Sequence, residues 1–278
     1  MNLAETIGSI EKKAAETIAI EQGDYVGENG LLYCHKCNTP KQVRCEMPWG
    51  VVTPMCLCKC KQEERDREEA ERKAQERQAL IARLRRECFP ERAMESWTFG
   101  DAEGERVIEV ARKYVANFET MLEKGKGLLF FGNVGTGKTH AAACIANALI
   151  DEAIPVHMTN FATIRNKVQG MYEGRQEYFD KLNSYPLLIL DDLSAESKSE
   201  FMQEIVYNVI DGRYRAGLPV IITTNLTSEE LKNPAELTNQ RTFSRLLEMC
   251  IPVEVTGNDK RRARLKEDFT QYRDMLGL

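Results

Sequence analysis

No stretch of eighteen or more apolar residues occurs in the sequence, which leaves no candidate for a membrane-spanning helix. The N-terminus MNLAETIGSIEKK carries acidic and polar residues where a secretory apolar core should lie, so the expected setting is cytoplasmic. Net positive charge is missing too. A formal charge of −5 and a sequence pI near 5.5 exclude a uniformly basic nucleic-acid binder, so any DNA contact must be localised. There is also no internal repeat of about twenty to fifty residues. What is present suffices for a core: 278 residues with 42% apolar content can form one ordinary domain and a smaller module. Nine cysteines in a reducing compartment argue against a disulfide framework and direct attention to metal-ligand spacing.

Along the chain, Leu3, Ile7, Ile10, Ala14 and Ile18 recur at helical spacing and predict an amphipathic helix over residues 3–20, packed either on its own protein or on a partner. A cysteine-rich stretch follows between Cys34 and Cys60. Residues 61–86 then mix charges of both signs with strong helix formers and no glycine or proline, the pattern of a solvated helix stitched by i,i+4 pairs. Past Pro90, helical and strand patterns alternate as in an α/β domain with a mostly parallel sheet. A helix is predicted from Val107 to Leu122 with Gly125 as its stop, and buried strands at 128–131, 155–158, 187–190, 220–223 and 252–255. The expected division is a helix and cysteine module over 1–60, a charged helical linker over 61–90 and an α/β domain over 91–278.

The most specific chemistry begins at Gly132-Asn133-Val134-Gly135-Thr136-Gly137-Lys138-Thr139-His140, a complete phosphate-binding loop between the apolar strand LLFF and the helix HAAACIANALI. Its glycines let backbone N–H groups wrap a phosphate, and the helix N-terminus adds its dipole. Lys138 should reach the β- and γ-phosphates of ATP, and Thr139 should offer its hydroxyl to magnesium. LLILDD supplies a second strand with Asp191 on the metal side, and Asp192 resembles the carboxylate from which ASCE-type ATPases polarise water as a general base. VIITTN is similar to the strand that in ASCE ATPases lies between the other two, which implies that Asn225 faces the γ-phosphate and the water. Together these predict an ASCE/AAA+ P-loop domain with a central parallel five-stranded sheet.

GNVGTGKTH, LLILDDLSAES, PVIITTNLTSEEL, RTFSRLLEMC and VTGNDKRR resemble the helicase loaders of the DnaC/DnaI type and the related transposition helper IstB. The likeness covers about half the chain. It implies an ATPase that loads a DnaB-type hexameric helicase on single-stranded DNA, with self-association on the helicase. An IstB-type helper acting on duplex DNA is the alternative, and a small-molecule P-loop kinase fits less well because it needs no adjacent acids, sensor asparagine or finger box. The resemblance further implies that Arg245 of RTFSRL is an arginine finger acting in trans, with Arg241 as substitute. It also implies that Arg261, or Arg262, senses the γ-phosphate in cis; where the family has an aromatic just before that arginine, Lys260 stands here. Arg213, Arg215, Lys260 and Arg262 lend modest support to DNA contact.

Cys34-His-Lys-Cys37 is a Cys-x-x-Cys knuckle of the kind that holds zinc, and Cys56, Cys58 and Cys60 stand about twenty residues on. Spacing alone leaves open which two of the three join the knuckle. The loader resemblance favours Cys58 and Cys60, with Cys56 as substitute. Cys88, Cys144 and Cys250 read as buried apolar fillers.

Overall fold

The computed structural model describes residues 20–102, 105–193, 200–232, 237–260, 272–273 and 275–277. The predicted helix over 3–20, and Arg261 and Arg262, lie outside the described residues apart from Ile20. The chain forms two compact units, residues 1–78 and 79–278.

In the first unit, two short antiparallel ribbons pair β1 (Tyr25–Val26) with β2 (Leu32–Tyr33) and β3 (Cys45–Met47) with β4 (Gly50–Val52). A buried ion pair braces it: Lys41 Nζ lies 2.6 Å from Asp24 Oδ2, and Asp24 also accepts hydrogen bonds from the backbone N–H groups of Glu21 and His35. Lys41 above all holds the Asp24 carboxyl far below the usual range. The charged segment forms helix α1 (Lys59–Cys88), stitched by pairs such as Glu69–Lys73 at 2.7 Å. The boundary between the units falls within this helix. Only Leu84 and Cys88 near its end are buried.

The second unit is a three-layer α/β domain. Its sheet consists of β5 (Gly127–Phe131), β6 (Val156–Asn160), β7 (Leu187–Leu193), β8 (Val220–Thr224) and β9 (Cys250–Glu254), all parallel, in the order β6-β7-β8-β5-β9. The asparagine-tipped strand β8 thus lies between the P-loop strand β5 and the acid-tipped strand β7, as expected. Strand alternation divides the core into two layers. Leu128, Phe130, Leu187, Ile189 and Ile221 pack with α2 (Arg106–Ala116) and α4 (Lys138–Asp151). Leu129, Leu188, Leu190, Val220 and Ile222 pack with α5 (Phe161–Gln169), α6 (Arg175–Ser184), α7 (Glu200–Ala216) and α8 (Leu237–Met249).

The helix expected from Val107 to Leu122 is broken at Asn117, after which α3 (Phe118–Glu123) begins. Asn117 turns its side-chain amide back to the Lys113 carbonyl at 2.8 Å, the local competition with helix bonding that favours asparagine at helix ends. The apolar face continues across the break, with Tyr114 and Phe118 both buried. On α7, Arg213 is fully buried. Its guanidinium donates to the carbonyls of Tyr185 (2.7 Å) and Pro219 at the entries of β7 and β8. Burial lowers its pKa to about 10, which still leaves it charged at neutral pH.

Candidate functional site

The loop after β5 turns through positive-φ glycines that a side chain would block. At Gly132 (φ 128) a Cβ would come 2.5 Å from the Val255 carbonyl oxygen, and at Gly135 (φ 77) it would strike Asp259. Gly137 then leads into α4, whose first-turn N–H groups and dipole favour an anion. Lys138 is nearly buried and donates to the Gly132 and Asn133 carbonyls at 2.8 and 2.6 Å, and Thr136 Oγ1 donates to the Asn133 carbonyl at 2.9 Å. Val134, half exposed, completes the outer side of the loop.

The acids stand against this loop through a defect in β7. In a regular strand, adjacent side chains point to opposite faces, so Asp191 and Asp192 could not both serve one site. The β7–β8 register shifts between Leu190 and Leu193, and Asp192 takes a left-handed φ of 57, a conformation that non-glycine residues rarely adopt. Both carboxylates therefore line the same cleft. Thr139 Oγ1 donates to Asp191 Oδ1 at 2.9 Å, so the hydroxyl and carboxylate expected to share a magnesium ion already meet. Asn225 Nδ2 donates to Asp192 Oδ1 at 3.3 Å.

Thr223 on β8 is a site residue to which the sequence reading gave no role. Its hydroxyl donates to Asp191 Oδ1 at 2.7 Å and accepts the Asp192 N–H at 2.8 Å, which ties the bulge to the central strand. The signal was present: two-residue periodicity puts Thr223 and Asn225 on one face of VIITTN. The cleft, about 710 Å3 in volume, is also lined by Met94, Trp97, Ala102, Glu105, His140 and Lys260.

Arg245 lies elsewhere. Its guanidinium pairs with Asp211 and lies 5.6 and 5.4 Å from the ring centres of Tyr207 and Tyr214, and it does not line the cleft. Arg241 is exposed on the same helix. Two residues expected to support DNA contact are otherwise engaged. Arg213 is spent on buried carbonyls, so it has no surface to offer DNA, and Lys260 pairs with Glu105 at the cleft beside the glycine loop. Arg215 remains three-quarters exposed while paired with Asp211 at 2.8 Å.

In the first unit, Cys34, Cys37, Cys58 and Cys60 bring their sulfurs within 4.8 Å of one another, and so could hold a metal ion. Cys60 Sγ lies 3.7 Å from Cys34 Sγ and 3.4 Å from Cys58 Sγ. These separations exceed a disulfide bond and match the roughly 3.8 Å between thiolates set tetrahedrally at about 2.3 Å from a zinc ion. Cys56 points instead toward the Pro40 carbonyl. Asn38, at φ 53 and donating its N–H to the Cys34 carbonyl, turns the knuckle so that Cys34 and Cys37 face the same point. The Thr39 hydroxyl, foremost, draws the Cys37 thiol down to about 5, whereas Cys58 and the other crowded thiols push Cys60 up to about 12. A cation among them removes that conflict. Cys88, Cys144 and Cys250 are buried fillers, and burial raises each thiol to about 12.

Comparison with known proteins agrees with this geometry. The replicative helicase loader DnaI of Bacillus subtilis (strain 168) is 29% identical over 152 residues, 50% of this chain and 48% of that protein. The replicative helicase loader DnaC of Escherichia coli (strain K12) is 25% identical over 151 residues, 52% of this chain and 59% of that protein. The chain therefore spans about half the length of these relatives. A crystal structure of DnaI superposes with a TM-score of 0.53 at 24% identity, over 64% of this chain and 98% of that one, a likeness of fold. The profile of the IstB-like ATP binding proteins matches residues 60–268, well over half of the sequence, and the chain belongs to that family.

Proposed function

We propose that this chain is a cytoplasmic ATPase that loads a DnaB-type replicative helicase hexamer onto single-stranded DNA. The relatives named replicative helicase loaders support the task, and family membership supports the use of ATP. The observation that carries the enzymatic reading is the bulge that turns Asp191 and Asp192 into one cleft beside the P-loop.

In this reading the backbone N–H groups of the loop hold the β-phosphate, and Lys138 exchanges its carbonyl partners for phosphate oxygens. Thr139 and Asp191 would hold magnesium, which when bound would neutralise phosphate charge. Asp192 accepts the proton of the attacking water, and Asn225 orients that water while restraining the Asp192 carboxylate. Thr223 keeps the two acids apart in role. Arg261, or Arg262, senses the γ-phosphate in cis. Cys34, Cys37, Cys58 and Cys60 hold a structural zinc ion that fixes the module within residues 1–60, which docks on the helicase.

Arg245 acts in trans. On its own chain it rests on Asp211 between two tyrosines, outside the cleft, and reaches a neighbour's γ-phosphate when copies assemble on the helicase. The isolated protein is then a poor ATPase. Mixing Arg245→Ala with Lys138→Ala on a helicase and single-stranded DNA tests the scheme, because each variant retains what the other lacks. ATP turnover should exceed the sum of the two alone; arginine fingers are worth about 10³–10⁵-fold in related enzymes. No recovery in assemblies shown to contain both chains would remove Arg245 from the role. Preferential binding to duplex DNA would favour the IstB-type alternative.

A further inference from the structure

We propose that Asn147 is a positioning residue for the nucleobase, acting through the wall of the cleft that it pins to the P-loop helix. The inference rests on the reading of this cleft as a nucleotide site. The glycine loop, Lys138 and the paired acids define the phosphate end. The rest of the lining includes an apolar surface made by Met94, Trp97 and Ala102, from two short 3₁₀ turns, Arg92–Ser96 and Phe99–Ala102, and the residues between them. A nucleobase has apolar faces and finds them there, whereas the triphosphate cannot.

This wall has little regular structure of its own to fix it. Asn147, on α4 and 6% exposed, reaches across and donates both amide hydrogens, to the carbonyls of Met94 at 2.8 Å and Trp97 at 3.0 Å. Its Oδ1 is buried without a hydrogen-bond partner among the described residues. His140 lies two helical turns earlier on the same face of α4, and its ring stands 5.3 Å from that of Trp97. The helix that presents Lys138 and Thr139 to the phosphates thus also sets, through one amide and one ring, where the base must lie. A shift of Trp97 would cost base contacts without touching the phosphate contacts.

The test compares two probes, ATP and inorganic tripolyphosphate, by calorimetry on the full chain with magnesium. Asn147→Asp keeps the side-chain shape but sets a carboxylate against the two carbonyls. It should weaken ATP binding by at least about tenfold, or 1.4 kcal/mol, and leave tripolyphosphate affinity within about twofold. Trp97→Ala should give the same split, and it stands as the measurement should Asn147→Asp lose cooperative melting. Equal losses for both probes, or unchanged ATP affinity, would overturn the proposal. A wild-type chain that bound neither probe would instead refute the nucleotide reading itself.

Discussion

In the α/β unit the strand segments 128–130, 187–190 and 220–222 are buried without a break, whereas among the described residues between 20 and 78 only Cys34, Lys41 and Cys58 are buried. The first kind of structure is held by removal of apolar surface from water, on two faces of one sheet. The second has strands of two or three residues and too little core for that, so it depends on the Asp24–Lys41 pair and on whatever the four thiols bind. The contrast also sorts the buried cations. Lys41 is offset by a carboxylate, and Arg213 by carbonyls at the entries of two strands. Each arrangement satisfies the charge where it lies.

Withholding zinc from the four thiols separates the two units most severely. Protein purified anaerobically should carry close to one zinc per chain, and structural zinc contributes on the order of 10 kcal/mol to modules this small. Chelation, or Cys34→Ser, should unfold residues 30–60 while the α/β unit keeps its melting transition. A zinc-free preparation with the module still folded would show that the ion pair alone suffices.

A far smaller effect sharpens the other side. His157 on β6 stacks on Tyr185 at 5.0 Å, and burial holds its pKa below the ordinary 6.5. As pH falls through 6.5 the unfolded chain takes up this proton before the folded one does, so stability drops from that pH downward. Urea midpoints of the α/β unit at pH 7 and 5.5 should therefore differ less in His157→Phe than in the wild type. An equal difference would assign the acid sensitivity to other groups.

Three of the five strands, β5, β7 and β8, were legible because their cores are unbroken apolar runs, and the P-loop because its glycines sit between such a run and a helix. The position of β8 between β5 and β7 followed from the same motifs. Other features depend on partners distant in sequence. Nothing in RYRAG announces that Arg213 will meet carbonyls from Tyr185 and Pro219, so it read as a surface cation. The break at Asn117 was hidden because the apolar face runs on through Phe118. The wall built from Met94 and Trp97 has no periodicity to read, since 3₁₀ turns this short impose none. Irregular spacing left Cys56, Cys58 and Cys60 equivalent until the turn at Asn38 and the start of α1 brought two of them to the knuckle.

The central claim is that one bulge gives two adjacent aspartates separate tasks beside the P-loop. It is tested most directly by measuring ATP binding and ATP turnover side by side for Lys138→Ala and Asp192→Asn, each assembled with helicase and single-stranded DNA. Lys138→Ala should lose binding or all turnover. Asp192→Asn should bind ATP with near wild-type affinity and turn it over about 10²–10⁴-fold more slowly, the usual worth of a positioned general base. Wild-type turnover in both variants would contradict the account.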